Sequence, residues 1–395
     1  MYVFISVIVT FPCLLLYSPT SRLLSSSLPT RLSECRFIYL CLRLEVMLWV
    51  DKYRPKTLDD VELYPELTEV LKRLAESQDL PHLLLYGPSG TGKKTRAMAV
   101  LEKVYGPTVY SLRLEHKSVQ VTDSKVVDIA TLSSPHHIDI NPSDAGNHDR
   151  VVVMQMIREI AQTVPLQPVA PKGAKYKVVV LNEVDKMGRA AQHALRRTME
   201  KYMSTCRLIL ICSSTSRLIA PLRSRCLAIR VPSHSRENLE KVVKAVCERE
   251  GRAPPSQAFL ASLTRQSEGN LRRAQLMLEA AAMNKADFAG SGSDIPQADW
   301  QVFLEQIASD IISEQTPRKL YEIRGKFYDM LGQCISGEVI LRGILEVLLT
   351  TVSPSLRPAV ISLAAKYDHN MKLGTKPILH LEAFASGVMQ LLKRG

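Results

Sequence analysis

The segment HLLLYGPSGTGKKTRAMAVLEKVYG, residues 82–106, most narrows what this chain can fold into. A short apolar run stops at Gly87, as a strand buried on both faces does. A glycine-rich loop follows, then a helical pattern closed by Gly106. Strand, loop and helix in that order make a phosphate cradle, because successive backbone N–H groups and a helix N-terminus aim at one point. The loop pattern is G-x-x-x-x-G-K-[ST]. Gly87, Gly92 and Lys93 match it, with Pro88, Ser89, Gly90 and Thr91 between them. The place of the metal-binding hydroxyl is taken by Lys94, whose charge repels a cation. Thr95, one step late, is the candidate Mg²⁺ ligand if the loop rearranges.

The rest of the first half repeats the strand–helix alternation. Apolar positions Leu63, Leu67, Val70, Leu71 and Leu74 predict a helix within 62–79. HIDINPSDAG (137–146), KVVVLNEVDKM (177–187) and CRLILICSSTS (206–216) read as strands, the latter two strongly apolar and each with a polar end. RVVVMQMIREIAQTV (150–164) and AAQHALRRTMEKYM (190–203) read as helices, the first followed by a Pro/Gly/Lys-rich loop. This predicts an α/β fold with a parallel, doubly wound sheet and its ligand at the strand C-termini. After Pro232 the pattern turns helical: three helices, a linker over 289–297, then mainly helix from 299 to 393.

The net charge of +12 favours a polyanionic partner such as nucleic acid. The eight cysteines form no C-x-x-C pair, which argues against a zinc site or a disulfide framework. Residues 1–46 begin apolar and uncharged up to Arg22, without the positive start of a secretory signal, and 21–46 loosely fit a transit peptide. They are expected to be an extension ahead of a second start at Met47, with a membrane-tethered or organellar protein as the competing reading.

Several residues have the chemistry for a nucleotide site. The strand ending LNEVD should carry an Asp for Mg²⁺ and a Glu that orients water; here Asn182 takes the Asp place, Glu183 is the candidate base and Asp185 follows. Two degraded metal positions argue against fast hydrolysis, whereas a cradle of backbone amides needs neither side chain. Ser213 ends the next strand, where a polar group faces a γ-phosphate. Arg223 and Arg225 in PLRSRC, and Arg272 early in a helix, are each either solvated charges or groups that complete a phosphate site. Arg150, Arg158, Arg196, Arg197 and Lys201 lie on predicted helices and are candidates for sequence-blind phosphate contacts with DNA. Arg196 and Arg197 have a second reading, pairing across a subunit boundary.

VDKYRP (50–55), GPSGTGKKT (87–95), NPSD (141–144), LNEVD, ALRRTMEKY (194–202), SRC (224–226) and GNLRRA (269–274) occur in this order. Together they resemble the small subunits of the eukaryotic clamp loader, replication factor C, of the AAA+ class, from Met47 to about Gly395. The resemblance implies a RecA-like AAA+ domain over 47–231, a helical lid over 232–290, and a linker with a helical collar over 291–395 that holds a hetero-pentamer together. It implies nuclear proteins that use ATP to load a sliding clamp, proliferating cell nuclear antigen, onto primer-template DNA in replication and repair. Tyr53, Arg54 and Pro55 match the segment near the adenine, Gly87 to Thr95 the phosphate loop, Ser213 sensor 1 and Arg272 sensor 2. Arg225 of SRC matches an arginine finger that acts in trans on a neighbour's ATP. With Lys94, Asn182 and Ser213 departing from the pattern, the expected subunit binds ATP or ADP, hydrolyses poorly and serves its neighbour. The alternative is a fully active motor subunit in which Thr95 and Asp185 rescue the metal site.

Overall fold

The computed structural model describes residues 47–394 except 78, 123–124, 163–175, 204, 285–287 and 289–294. The expected extension over 1–46, the basic loop after the 150–164 helix and most of the 289–297 linker lie outside the described residues. The chain divides into two compact units. The first ends at Tyr53, and its described part is one short helix, α1 (Trp49–Lys52). The second, Arg54–Gly395, contains the sheet and all the remaining helices.

Helix α2 (Pro65–Glu76) opens with proline at its first position, where no intrahelical N–H is needed. Then come β1 (Leu83–Tyr86), the loop, and α3 (Lys93–Tyr105). Gly106 closes α3 at φ 85, its N–H donating to the Glu102 carbonyl at 2.7 Å. The chain continues through β2 (Arg113–Thr122), β3 (Lys125–Ser133), β4 (His137–Ile140), α4 (Asp149–Gln162), β5 (Lys177–Leu181), α5 (Arg189–Lys201), β6 (Cys206–Cys212), α6 (Ala220–Arg223) and β7 (Leu227–Arg230).

The seven strands form one sheet in the order β2-β3-β4-β5-β6-β1-β7. From β4 to β7 every neighbouring pair is parallel. Residues 113–133 supply something the sequence reading did not include: β2 and β3 form an antiparallel hairpin, and β3 also runs antiparallel to β4. The parallel, doubly wound sheet thus carries an antiparallel edge, a common arrangement in large sheets. The 137–146 strand also stops early, at Ile140, and residues Pro142–His148 turn into 3₁₀ helix.

Burial on both faces explains the apolar runs. Leu84, Val179, Leu181, Leu208 and Leu210 point into one core with α4 and α5. Leu83, Leu85, Val178, Val180, Ile209 and Ile211 point into the other, with α2 and α3. Side chains alternate across a strand, so a strand sandwiched between two helical layers has no solvent-facing position.

Three helices follow the sheet: α7 (Arg236–Arg249), α8 (Gln257–Ser267) and α9 (Leu271–Met283). Each begins on a side-chain cap, Ser235, Ser256 and Asn270, accepting from a backbone N–H three residues on. Five more helices, α10 (Asp299–Ser313), α11 (Pro317–Gly332), α12 (Gly337–Thr351), α13 (Arg357–Leu373) and α14 (Pro377–Arg394), enclose a core of their own around Ile307, Phe327, Ile344 and Phe384. No helix of the described residues is long and apolar enough to cross a membrane.

Candidate nucleotide-binding site

The parallel strands deliver their C-terminal ends to one edge, and the site is built there. β1 runs into the glycine loop, β5 into Asn182 and Glu183, β6 into Ser213, and β4 ends just before Asn141. Ser89 to Thr95, Asn141, Asn182, Glu183, Ser213 and Arg272 line a cavity of about 240 Å³ at these ends. Arg272 comes from the first turn of α9, so the helices after the sheet lean over the loop.

Two glycines of the loop leave no room for a side chain. A Cβ on Gly87 would run into the backbone carbonyl of Val231, just after β7. Gly90 has φ +72, and a Cβ there would meet the side chain of Asn270, the cap of α9. The phosphate loop and the lid-side helix thus touch at a point that sequence reasoning did not single out.

The Lys93 ammonium donates to the carbonyls of Gly87 and Pro88, each at 2.7 Å. Burial pulls its pKa below the usual lysine value, and nearby Asp185 opposes that. Arg96, buried on the next turn of α3, donates to the Thr91 carbonyl at 3.3 Å and to the Leu63 carbonyl at 2.8 Å. Tyr64 bridges onward: its ring stacks on His234 at 5.6 Å, and its hydroxyl donates to the Ser233 carbonyl at 2.6 Å. Arg96, Tyr64 and His234 therefore tie the loop to the start of α7. Their local sequence gives no sign of this role, because Arg96 meets Leu63, and Tyr64 meets Ser233 and His234, across long stretches of chain.

The two metal positions meet on one residue. Asp139, the third residue of β4, is only 6% exposed. One of its carboxylate oxygens pairs with the Lys94 ammonium, and the other accepts from the Asn182 side-chain amide. The parallel register sets Ile140 beside Leu181, so Asn182 emerges next to β4. Asp139 was missed in the sequence, where its one signal is an acid between the two isoleucines of HIDI.

The other candidates are placed as follows. Glu183, at φ 51 and exposed, has its carboxylate 2.7 Å from Lys186. Ser213 is exposed at the cavity, with its backbone N–H donating to Asp185 Oδ2 at 3.3 Å. Thr95 lines the cavity on the first turn of α3. Arg54 and Pro55 are outside the cavity lining, and Tyr53 belongs to the first unit. Arg225 is not in the lining either: it binds Glu200 of α5 through Nε at 2.8 Å and Nη2 at 2.5 Å, and donates from Nη1 to the Pro221 carbonyl at 2.7 Å. Arg196 approaches the same Glu200 at 3.5 Å. Arg150 and Arg158 are exposed on α4, and Arg197 is exposed on α5.

Comparison with known proteins decides the family. A mouse protein named replication factor C subunit 3 is 47% identical over 347 residues, which is 88% of this chain and 96% of the mouse protein. The chain belongs to the replication factor C subunit family. A probable replication factor C subunit 3 of Dictyostelium discoideum is 44% identical over 349 residues, covering 88% of this chain and 99% of the relative. A family model described as the replication factor C subunit 3 C-terminal domain matches residues 300–395, and an AAA+ ATPase lid model matches 241–283. A model of the DNA polymerase III delta subunit matches 64–235. Among solved structures, Thermotoga maritima RuvB, a Holliday junction branch migration motor, aligns at 16% identity and TM-score 0.45, covering 71% of this chain and 88% of that one. This replication factor C subunit is thus an AAA+ clamp-loader component, as the motif series implied, and the relatives it matches include subunit 3 proteins. The AAA+ fold carries nucleotide binding with it.

P-loop sites ordinarily hold Mg²⁺ through a hydroxyl and an aspartate. The residues here do not fit that ion. The hydroxyl place holds an ammonium, the aspartate place an amide, and both oxygens of the nearby carboxylate are engaged by those two groups. Among the described residues no group of three or more His, Cys, Asp or Glu side chains is placed to hold a metal.

Proposed function

We propose that this subunit holds ATP or ADP in the cavity above β1, β5 and β6, hydrolyses it poorly, and supplies Arg225 to the nucleotide of a neighbouring subunit. The observation that carries the reading is the combination at the strand ends. The phosphate loop, Lys93 and Arg272 converge on one cavity, while Lys94 and Asn182 are both tied to Asp139. Backbone amides and cations remain to bind a polyphosphate. Glu183 is paired with Lys186, which leaves it poorly set to activate water.

The subunit works in this reading within the replication factor C hetero-pentamer, which opens the sliding clamp, proliferating cell nuclear antigen, and sets it on primer-template DNA in the nucleus. Arg150, Arg158 and Arg197 present exposed charge on adjacent helices for phosphate contacts. Arg196 and Arg225 share Glu200. That pairing is exposed and therefore weak, so Arg225 can leave it for an anionic partner. An arginine finger is worth about 10³–10⁵ in rate.

The test is Arg225→Ala in a reconstituted loader, with Lys93→Ala in the same subunit as comparison. Steady-state ATPase is expected to fall far more with Arg225→Ala. A loss no larger than that of Lys93→Ala removes the trans role. One observation favours the alternative of an active motor subunit: Asp185 Oδ1 is buried without a hydrogen-bond partner. Turnover by a loader in which only this site is intact would support it.

A further inference from the structure

Lys94 and Asn182 stand 88 positions apart, and each departs from the pattern of a P-loop metal site in the same direction. The usual set is a neutral hydroxyl, a carboxylate and a divalent cation. Together these carry one net positive charge. An ammonium and a neutral amide carry the same. The two departures are therefore electrostatically matched, and a single one alone would not be. Lysine without the amide change leaves two carboxylates for one ammonium. The amide change without lysine leaves buried Asp139 without a cation, and an unpaired buried carboxylate is strongly destabilising.

The geometry joins them. Asp139 sits behind the cavity at 6% exposure, with one oxygen on Lys94 and the other on Asn182. Lys94 is 40% exposed and lines the cavity together with Asn182. Its ammonium has three donors, one of which is directed at Asp139, leaving two for phosphate oxygens. Lys93 and Arg272 supply further positive charge to the same cavity.

We propose that the Lys94 ammonium, anchored on Asp139 beside Asn182, takes the place of the divalent ion, so that this site holds a nucleoside di- or triphosphate without metal. The inference rests on the nucleotide-holding role above and deepens it. A fixed point charge differs from a bound metal in two respects. It imposes no octahedral shell on the phosphates, and it offers no coordination site on which a water could be activated. It is also never lost by chelation. The nucleotide is therefore a standing part of the subunit, retained through divalent depletion that strips metal-dependent sites.

The experiment is subunit-resolved photolabelling of the reconstituted loader with radiolabelled 8-azido-ADP and 8-azido-ATP, in excess Mg²⁺ and in excess EDTA. Label is read on each separated subunit, and size-exclusion chromatography checks that the complex stays assembled. Label on this subunit is expected to change less than about threefold between the two conditions, under 1 kcal/mol of affinity. In the double variant Lys94→Thr/Asn182→Asp it is expected to drop about tenfold or more in EDTA and return with Mg²⁺. Lys94→Arg, which keeps the charge, should stay insensitive to EDTA. Wild-type label that falls tenfold in EDTA overturns the metal-free site while leaving nucleotide binding in place. Label that is absent in both conditions overturns both. The wild-type comparison decides the matter even if the double variant does not assemble.

Discussion

Gly90→Ala is the sharpest test of how the lid is coupled to the phosphate loop. Gly90 has φ +72, and an added Cβ would overlap the Asn270 side chain. An L-residue in that backbone region costs about 1–2 kcal/mol. Asn270 is a side chain and can swing aside, but it is the N-cap of α9, accepting from the Arg273 N–H at 3.1 Å. Losing the cap adds about 1 kcal/mol. The total is about 2–3 kcal/mol by these two contributions. Gly251 provides the control: its φ is +63, and an added Cβ meets nothing within 4 Å. Gly251→Ala therefore carries backbone strain alone. In thermal melts of the full-length chain, each kcal/mol moves the midpoint by about 1–1.5 °C for a chain of this size. Gly90→Ala is expected to lower the midpoint by clearly more than Gly251→Ala and to weaken nucleotide binding, which Gly251→Ala should leave alone. In a double-mutant cycle with Asn270→Ala, the two losses should be less than additive by about 1 kcal/mol. Equal midpoint shifts for the two glycines, with full additivity at Asn270, would refute a lid seated on the loop.

Three other outcomes follow from the same structure. Burial holds His82, His137 and His234 at about 4, well below the free imidazole value. Each is neutral when folded and protonated when unfolded between those values, so stability present above about 6.5 is lost as pH falls toward 4. His82 Nδ1 accepts from the Leu208 N–H at 3.0 Å, so the urea midpoint should fall from pH 7.5 to pH 5, and His82→Gln should flatten that fall; a pH-independent midpoint contradicts it. Replacing Arg150 and Arg158 together by Ala should weaken primer-template binding without changing sequence preference and reduce the salt slope by about one per lost phosphate contact; an unchanged slope places these arginines away from DNA. Asn182→Asp alone sets a second carboxylate beside buried Asp139 and should destabilise the subunit by about 1–3 kcal/mol, restored in part by adding Mg²⁺ in the Lys94→Thr background; a neutral effect would mean that the two groups are not coupled.

Local rules carried much of the architecture. The runs HLLLYG, KVVVL and CRLILIC are strands because nothing but burial on both faces suits them, and their helices follow from 3.6-residue spacing. The phosphate loop is legible because its chemistry lies in consecutive backbone amides, and the motif order alone pointed to the family that the relatives show. The hairpin over 113–133 was not legible, since a polar, alternating edge strand on a half-covered face carries little hydrophobic signal. Nor was the 25-residue reach from Arg225 to Glu200, which depends on how α5 and the segment after α6 pack.

By itself the sequence determined that a polyphosphate cradle sits between a buried strand and a helix, and that two of its metal positions are changed. What it left undecided is whether those changes belong together. Only the order of the strands answers that: β4 lies against β5, and Asp139 falls within reach of both Asn182 and Lys94. Periodicity is a property of neighbours along the chain, while charge pairing is a property of neighbours in space. The second is fixed only once the sheet has closed.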